Sequence, residues 1–164
     1  MTIDDRLFRK ALGCFATGIT VVTSKAADGS PVGLTVNAFS SLSLDPPLVL
    51  VCLDKRSSCL KFIESSGVFA VHVLREDQRE LSMTFASKQP DKFASISLET
   101  GDSGAPIIPD CLAMFDCKTE QVLEGGDHLI FIGRVLNLEH SEAGQPLLYY
   151  RGSYNHLGGD TSLP

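Results

Sequence analysis

The stretch TVNAFSSLSLDPPLVLVCLDKRSSCLKF, residues 35–62, decides how the chain is read. Residues 48–53 are a continuous apolar run of strand length, set off by the chain-breaking pair Pro46-Pro47. The run stops at Asp54-Lys55-Arg56-Ser57-Ser58, and a helix pattern follows over 57–66. Leu60 and Ile63 are its one-sided anchors and Gly67 its stop. Free backbone N–H groups at a helix start, the helix dipole, two hydroxyls and two cations together make an anion site, most naturally for a phosphate. The same residues also describe an N-cap serine with solvated bases on a surface turn. Ahead of the run, residues 32–39 read as a strand whose alternation puts Thr35, Asn37 and Phe39 on one face and Val36 and Ala38 on the other. Thr35, Asn37, Ser40, Ser41 and Ser43 offer donors and acceptors to a flat heterocycle without bulk. They equally suit a polar outer face leading into a serine-rich turn.

Outward from this segment the pattern is mostly strands. Residues 2–16 predict an amphipathic helix with Thr2 as cap. Residues 19–25 and 32–39 flank the turn signal Asp28-Gly29-Ser30-Pro31 and predict a hairpin. After the 57–66 helix come a strand over 68–74, a helix over 77–85, a turn of helix near 91–95 and a long loop over 99–110. Residues 111–123 and 129–139 flank Gly125-Gly126-Asp127 as a long hairpin, and 147–150 open a last strand. About seven strands run in hairpins rather than alternating with helices. That predicts a mainly β protein, an antiparallel barrel with flanking α-helices, and argues against a doubly wound parallel sheet. One domain over 1–156 with a C-terminal tail over 157–164 is expected.

Composition narrows the function class. The 164 residues carry a formal net charge of −6, which disfavours nucleic acid or an anionic membrane as partner. No apolar run approaches the ~18 residues of a membrane span, and residues 1–6 lack an apolar signal core. A cytoplasmic location is expected. The five cysteines, an odd number without a Cys-x-x-Cys pair, read as small buried apolar side chains rather than disulfides or zinc ligands.

The run GLTVNAFSSLSLDPPLVLVCLDKRSS, residues 33–58, closely resembles the flavin reductase-like family, the small reductase components of two-component flavin monooxygenases. ATGITVVTS at 16–24, FAVHVLREDQRELSMTFA at 69–86, DKF at 91–93, EGGDHLIFIGRV at 124–135 and LLYYRGSY at 147–154 extend the resemblance over nearly the whole chain. It implies an FMN-binding split β-barrel, usually a homodimer. Such a protein reduces FMN or FAD with NADH or NADPH and serves a separate oxygenase component. Carried onto this chain, Thr35, Val36, Asn37, Ala38 and Ser41 would line the isoalloxazine, and Cys52, Leu53, Lys55, Ser57 and Ser58 would follow the ribityl chain to the phosphate. Phe85, Lys88 and Phe93 would close the flavin site, with His128 and Tyr154 on the nicotinamide side. Cys59 departs from the hydroxyl residue that relatives often place there.

No hydrolytic, P-loop, Rossmann or metal-binding constellation competes. The serine of Gly101-Asp102-Ser103-Gly104 lacks a nucleophile-elbow frame. Sparse machinery suits hydride transfer, in which the cofactors carry the chemistry and the protein aligns two rings about 3 to 3.5 Å apart. His128 after Gly125-Gly126-Asp127 is the sharpest candidate, against a solvated loop histidine. His72 alternates with apolar residues and reads as structural, and His140 and His156 as solvent-facing. Tyr154 serves either the site or a barrel end, and Phe85, at helical spacing from Leu81, either the site or the core. A flavin-binding module without turnover, and a split-barrel oxidase, remain the rival readings. The latter is disfavoured because 99–110 adds no cation for a second phosphate.

Overall fold

A computed structural model describes residues 3–158. Its main body is one antiparallel sheet of seven strands: β2 (Thr20–Lys25), β3 (Pro31–Val36), β4 (Phe39–Leu44), β5 (Pro47–Asp54), β6 (Val68–Val73), β9 (Ala113–Gly125) and β10 (His128–His140). Their order is β3-β2-β6-β9-β10-β5-β4. The two edge strands are consecutive in the chain, joined only by Asn37 and Ala38. A two-residue link spans at most about 11 Å, so the sheet is rolled until its edges meet. This is the split barrel expected of the sequence.

Smaller elements complete the fold. β1 (Thr17–Gly18), β11 (Leu148–Tyr150) and β12 (Ser153–Asn155) form a second sheet, and β7 (Glu99–Thr100) pairs with β8 (Pro106–Ile107). Three helices flank the sheets: α1 (Asp5–Leu12), α2 (Leu60–Ser66) and α3 (Arg79–Ala86).

Two cores share strand β2. Val22 points into the barrel with Val51, Leu53, Phe69, Val71 and Phe131, while Val21 points outward to Phe85, Leu74, Ile108 and Leu147 beneath α3 and the C-terminal strands. Strand β2 is buried on both faces, so its polar side chains are hydrogen-bonded: Thr20 Oγ1 donates to Val36 O at 2.6 Å. Inside the barrel, Gly133 of β10 is dictated by packing: a Cβ there would stand 2.9 Å from Cys117 Cβ and closer still to the Phe69 ring.

Several expectations are corrected. Residues 39–44 are not a serine-rich turn but strand β4, paired with β5 through Phe39↔Val51 and Ser40↔Leu50. Strand β3 stops at Val36, so Thr35, Asn37 and Phe39 do not share one strand face. Helix α1 begins at Asp5, with Asp4 Oδ1 accepting the Leu7 amide at 2.9 Å; Thr2 lies outside the described residues. Of the expected tail, 159–164 lie outside them too. The cysteines are all free but not all buried: Cys14 is exposed, Cys52 and Cys111 half-buried, Cys59 and Cys117 buried.

The 99–110 segment carries the short β7–β8 ladder and is pinned from beneath. Thr23 Oγ1 donates to Pro106 O at 2.5 Å, and Ser103 N donates to the buried Asp116 carboxylate at 2.8 Å. His72, fully buried, donates from Nδ1 to Val21 O at 3.1 Å and accepts the Ile108 amide on Nε2 at 3.0 Å. The Ile108 N–H can only donate, which fixes the neutral tautomer with the proton on Nδ1. Burial lowers the His72 pKa to about 4. The folded value lies below the ordinary 6.5, so the unfolded chain binds more protons between the two and His72 stabilises the fold above pH ~6.5. That stability, about 3 kcal/mol at full extent, is lost as pH falls from 6.5 to 4. Urea unfolding should show wild type losing more stability than His72→Gln between pH 7.5 and 4.5, the carboxylate contribution being common to both. Equal losses would mean His72 is not held neutral.

Candidate functional site

A cleft of about 740 Å³ opens on the outer side of β3, within the range typical of small-molecule sites. Strand β3 supplies its floor through residues 31–35. The turn after β5, Arg56 to Cys59, forms one side, and the end of α3 with the following residues to Phe93 forms the other. Phe85 and Phe93 meet edge to face at 4.9 Å between ring centres. They sit so close to β3 that a Cβ on Gly33 would stand 2.8 Å from the Phe85 ring and 3.1 Å from Phe93. Glycine at 33 is therefore what lets this aromatic wall approach the strand.

The opposite character gathers around it. The lining includes Arg56, Lys88 and Lys92 and no carboxylate, in a chain of net charge −6. Lys92 Nζ donates to Gly33 O at 3.3 Å and Phe85 O at 3.0 Å, tying wall to floor. Arg56 is held by Asp54, Nη2 to Oδ2 at 2.7 Å, and that hydrogen-bonded pairing keeps the Asp54 carboxyl well below the usual range. Ser57 Oγ accepts the Cys59 amide at 3.3 Å. Helix α2 starts only at Leu60, with Cys59 as N-cap and no side-chain cap bond. Residues 56–59 therefore face the cleft from a turn rather than from the helix start that the sequence suggested.

Of the residues singled out from the sequence, Thr35, Ser57, Ser58, Phe85, Lys88 and Phe93 line this cleft. Val36 and Leu53 do not: their side chains are buried in the barrel interior. Asn37 and Ala38 form the link between β3 and β4, and Ser41 and Cys52 lie in the β4–β5 ladder beside it, where the Cys52 amide donates to Ala38 O at 2.9 Å and Ser41 faces Val49. Lys55 points to the hairpin instead, ion-paired with Glu124 and donating to Gly126 O at 2.7 Å. His128 sits opposite Asp54 in the β5–β10 ladder, its Nδ1 bonded to Asp127 Oδ1 at 2.7 Å. That bond lowers the Asp127 pKa. Tyr154 stands behind the wall: its OH bonds the buried Ser82 Oγ at 3.0 Å, and Thr35 Oγ1 donates to Ser82 O at 2.6 Å. This chain of contacts couples β12, α3 and the cleft floor.

Gly33, Phe62 and Lys92 were missed as lining residues. Lys92 precedes Phe93 in the triplet Asp91-Lys92-Phe93, and its side chain reaches back to Gly33 O. Gly33 carries no signal in one sequence, because the rings it admits lie 52 and 60 residues away.

Among the described residues there is no group of His, Cys, Asp and Glu suited to a metal, and no helix long and apolar enough to cross a membrane. The chain matches the model of the flavin reductase like domain over residues 12–158. It is 45% identical over 162 residues to the flavin-dependent monooxygenase reductase subunit HsaB of Rhodococcus jostii, covering 99% of this chain and 83% of that one. Its fold superposes with a TM-score of 0.93 on nitrilotriacetate monooxygenase component B from Mycobacterium thermoresistibile, at 44% identity over 98% of this chain and 90% of the other. The Streptomyces globisporus NADH:FAD oxidoreductase SgcE6, solved with NAD and FAD fragments, matches with a TM-score of 0.90 at 35% identity, over 98% and 99% of the two chains. The barrel, the cleft's aromatic and cationic lining and these likenesses agree: the chain belongs to the flavin reductase-like family.

Proposed function

We propose that the protein is an NAD(P)H:flavin oxidoreductase that binds FMN or FAD in the β3 cleft, reduces it with NADH or NADPH, and supplies reduced flavin to a separate oxygenase. The family supports flavin reduction, and the names of HsaB and component B, both parts of monooxygenases, support the partner. The single observation that carries the reading is the two-part lining: an aromatic wall built on Gly33 beside Arg56, Lys88 and Lys92 with no carboxylate. A flavin nucleotide joins a flat apolar ring to an anionic tail, and the lining fits both. Its five free cysteines suit a reducing compartment, and we assign the protein to the cytoplasm.

The redox chemistry would be supplied by the two nucleotides, a flavin held there as hydride acceptor and a reduced nicotinamide as donor. The chain's own residues bind and orient. Thr35 and the backbone of 33–38 border the ring, with Ser41 and Cys52 in the adjoining β4–β5 ladder. Ser57, Ser58, Arg56 and Lys88 hold the phosphate, since hydrogen bonds to charged groups are the stronger ones. Phe85 and Phe93 exclude water from the ring. His128 at the hairpin tip approaches the nicotinamide.

A homodimer completes the assembly. Helix α1 buries none of its residues, and Leu7, Phe8, Leu12 and Phe15 are each more than half exposed. Apolar exposure of this kind marks an interface.

Purified protein should oxidise NADH or NADPH only when flavin is added; background rates with FMN, FAD and riboflavin alike would reject the reading. FMN should bind more tightly than riboflavin, and Lys88→Gln should weaken FMN by about tenfold while leaving riboflavin unchanged, read by flavin fluorescence. Equal loss for both flavins would remove Lys88 from the phosphate. His128→Ala should raise the KM for the nicotinamide nucleotide several-fold with the FMN Kd unchanged; unaltered kinetics would retire that role. Light scattering should give about twice 17.7 kDa, and a monomer at micromolar concentration would contradict the dimer.

A further inference from the structure

A second cleft, of about 500 Å³, shares no lining residue with the first. It lies between α1 and the turn joining β11 to β12, and Arg6, Arg9, Lys10 and Arg151 converge on it. Arg6, Arg9 and Lys10 fall at i, i+3 and i+4, one face of the helix. The Arg151 amide donates to Gly13 O at 2.8 Å, fastening the turn to the helix end.

Among the described residues no carboxylate comes within 4.0 Å of any of the four, whereas Lys55, Arg56, Arg75 and Arg134 each hold one. The helix dipole accounts for Arg9 and Lys10 in the last turn of α1. It disfavours Arg6 in the first turn and says nothing of Arg151.

Arg151 is the more telling. It occupies the first position of a two-residue hairpin loop at φ 49°, followed by Gly152 at φ 80°. Such loops ordinarily place Asn, Asp or Gly there, and a longer side chain in the left-handed region carries strain that marks functional positions. Its guanidinium lies 5.2 Å from the Tyr150 ring, which orients it.

We propose that this cleft binds a small phosphate-bearing anion of nucleotide size, gripped by Arg6, Arg9, Lys10 and Arg151. The volume suits a small molecule rather than a polymer, and guanidinium forks match phosphate oxygens two at a time. Gly13 and Gly152 keep the walls low. Nucleic acid is disfavoured by the net charge of −6. The site is independent of the flavin cleft.

Calorimetry with ADP, inorganic pyrophosphate and adenosine tests it. ADP and pyrophosphate should bind once per chain, more weakly at ~200 mM than at ~50 mM salt, and adenosine should not bind. Arg6→Gln/Arg9→Gln should weaken ADP by about tenfold or more. Arg151→Asn should also weaken it while holding or raising the Tm, because asparagine tolerates this φ. FMN affinity should be unchanged in both variants. Absence of ADP binding at millimolar concentration, indifference to these substitutions, or displacement of ADP by FMN at the first cleft would overturn the proposal. So would binding of a polyglutamate peptide without ADP, which would assign the patch to an acidic protein partner.

Discussion

The two-residue link of Asn37 and Ala38 is the constraint on which the rest of the structure depends. It joins the opposite edges of a seven-stranded sheet, and the sheet must close to satisfy it. Closure encloses Val22, Val51, Leu53, Phe69 and Phe131 as one interior. The Cys52 amide bonds Ala38 O, carrying the β4–β5 pairing one residue into the link. Closure also brings the turn after β5 beside the outer face of β3, so that a basic turn and a bare strand face each other. Helix α3 then needs only to lay Phe85 on Gly33 to complete a cleft. The site is thus a consequence of how the barrel shuts rather than of any one loop.

Much of this was legible in the sequence, for identifiable reasons. Strands with a buried face announced themselves through β-branched and apolar alternation, and residues 48–53 through continuity. Strand β4 was not, because its outer positions Ser40 and Ser41 are exposed and their hydroxyls read as a turn. Its pairing with β5 supplies what its composition lacks. Helix α1 was overlong because apolar spacing continues past Leu12 into Phe15, although the backbone leaves the helix at Gly13. Strand β12 was invisible, being three residues whose order comes from β11 and from Tyr154 bonding Ser82.

The site was legible where residue chemistry alone suffices. Hydroxyls and cations at 55–58 and aromatics at 85 and 93 carry that chemistry. Direction did not follow from spacing: Lys55 turns to Glu124 while its neighbour Arg56 faces the cleft. Positions that stand out by their place in a motif, such as Val36 and Leu53, are barrel core. A net −6 coexists with two clefts whose linings hold cations and no carboxylate.

The location of the flavin tests the account most directly. Amide chemical-shift mapping of isotope-labelled protein during titration with FMN reads that location residue by residue. The account predicts that the largest changes fall on Gly33, Thr35, Ser57, Ser58, Lys88 and Lys92, with the barrel interior and the 99–110 segment unmoved. Saturable FMN binding that leaves those amides in place and shifts another face of the barrel would contradict it.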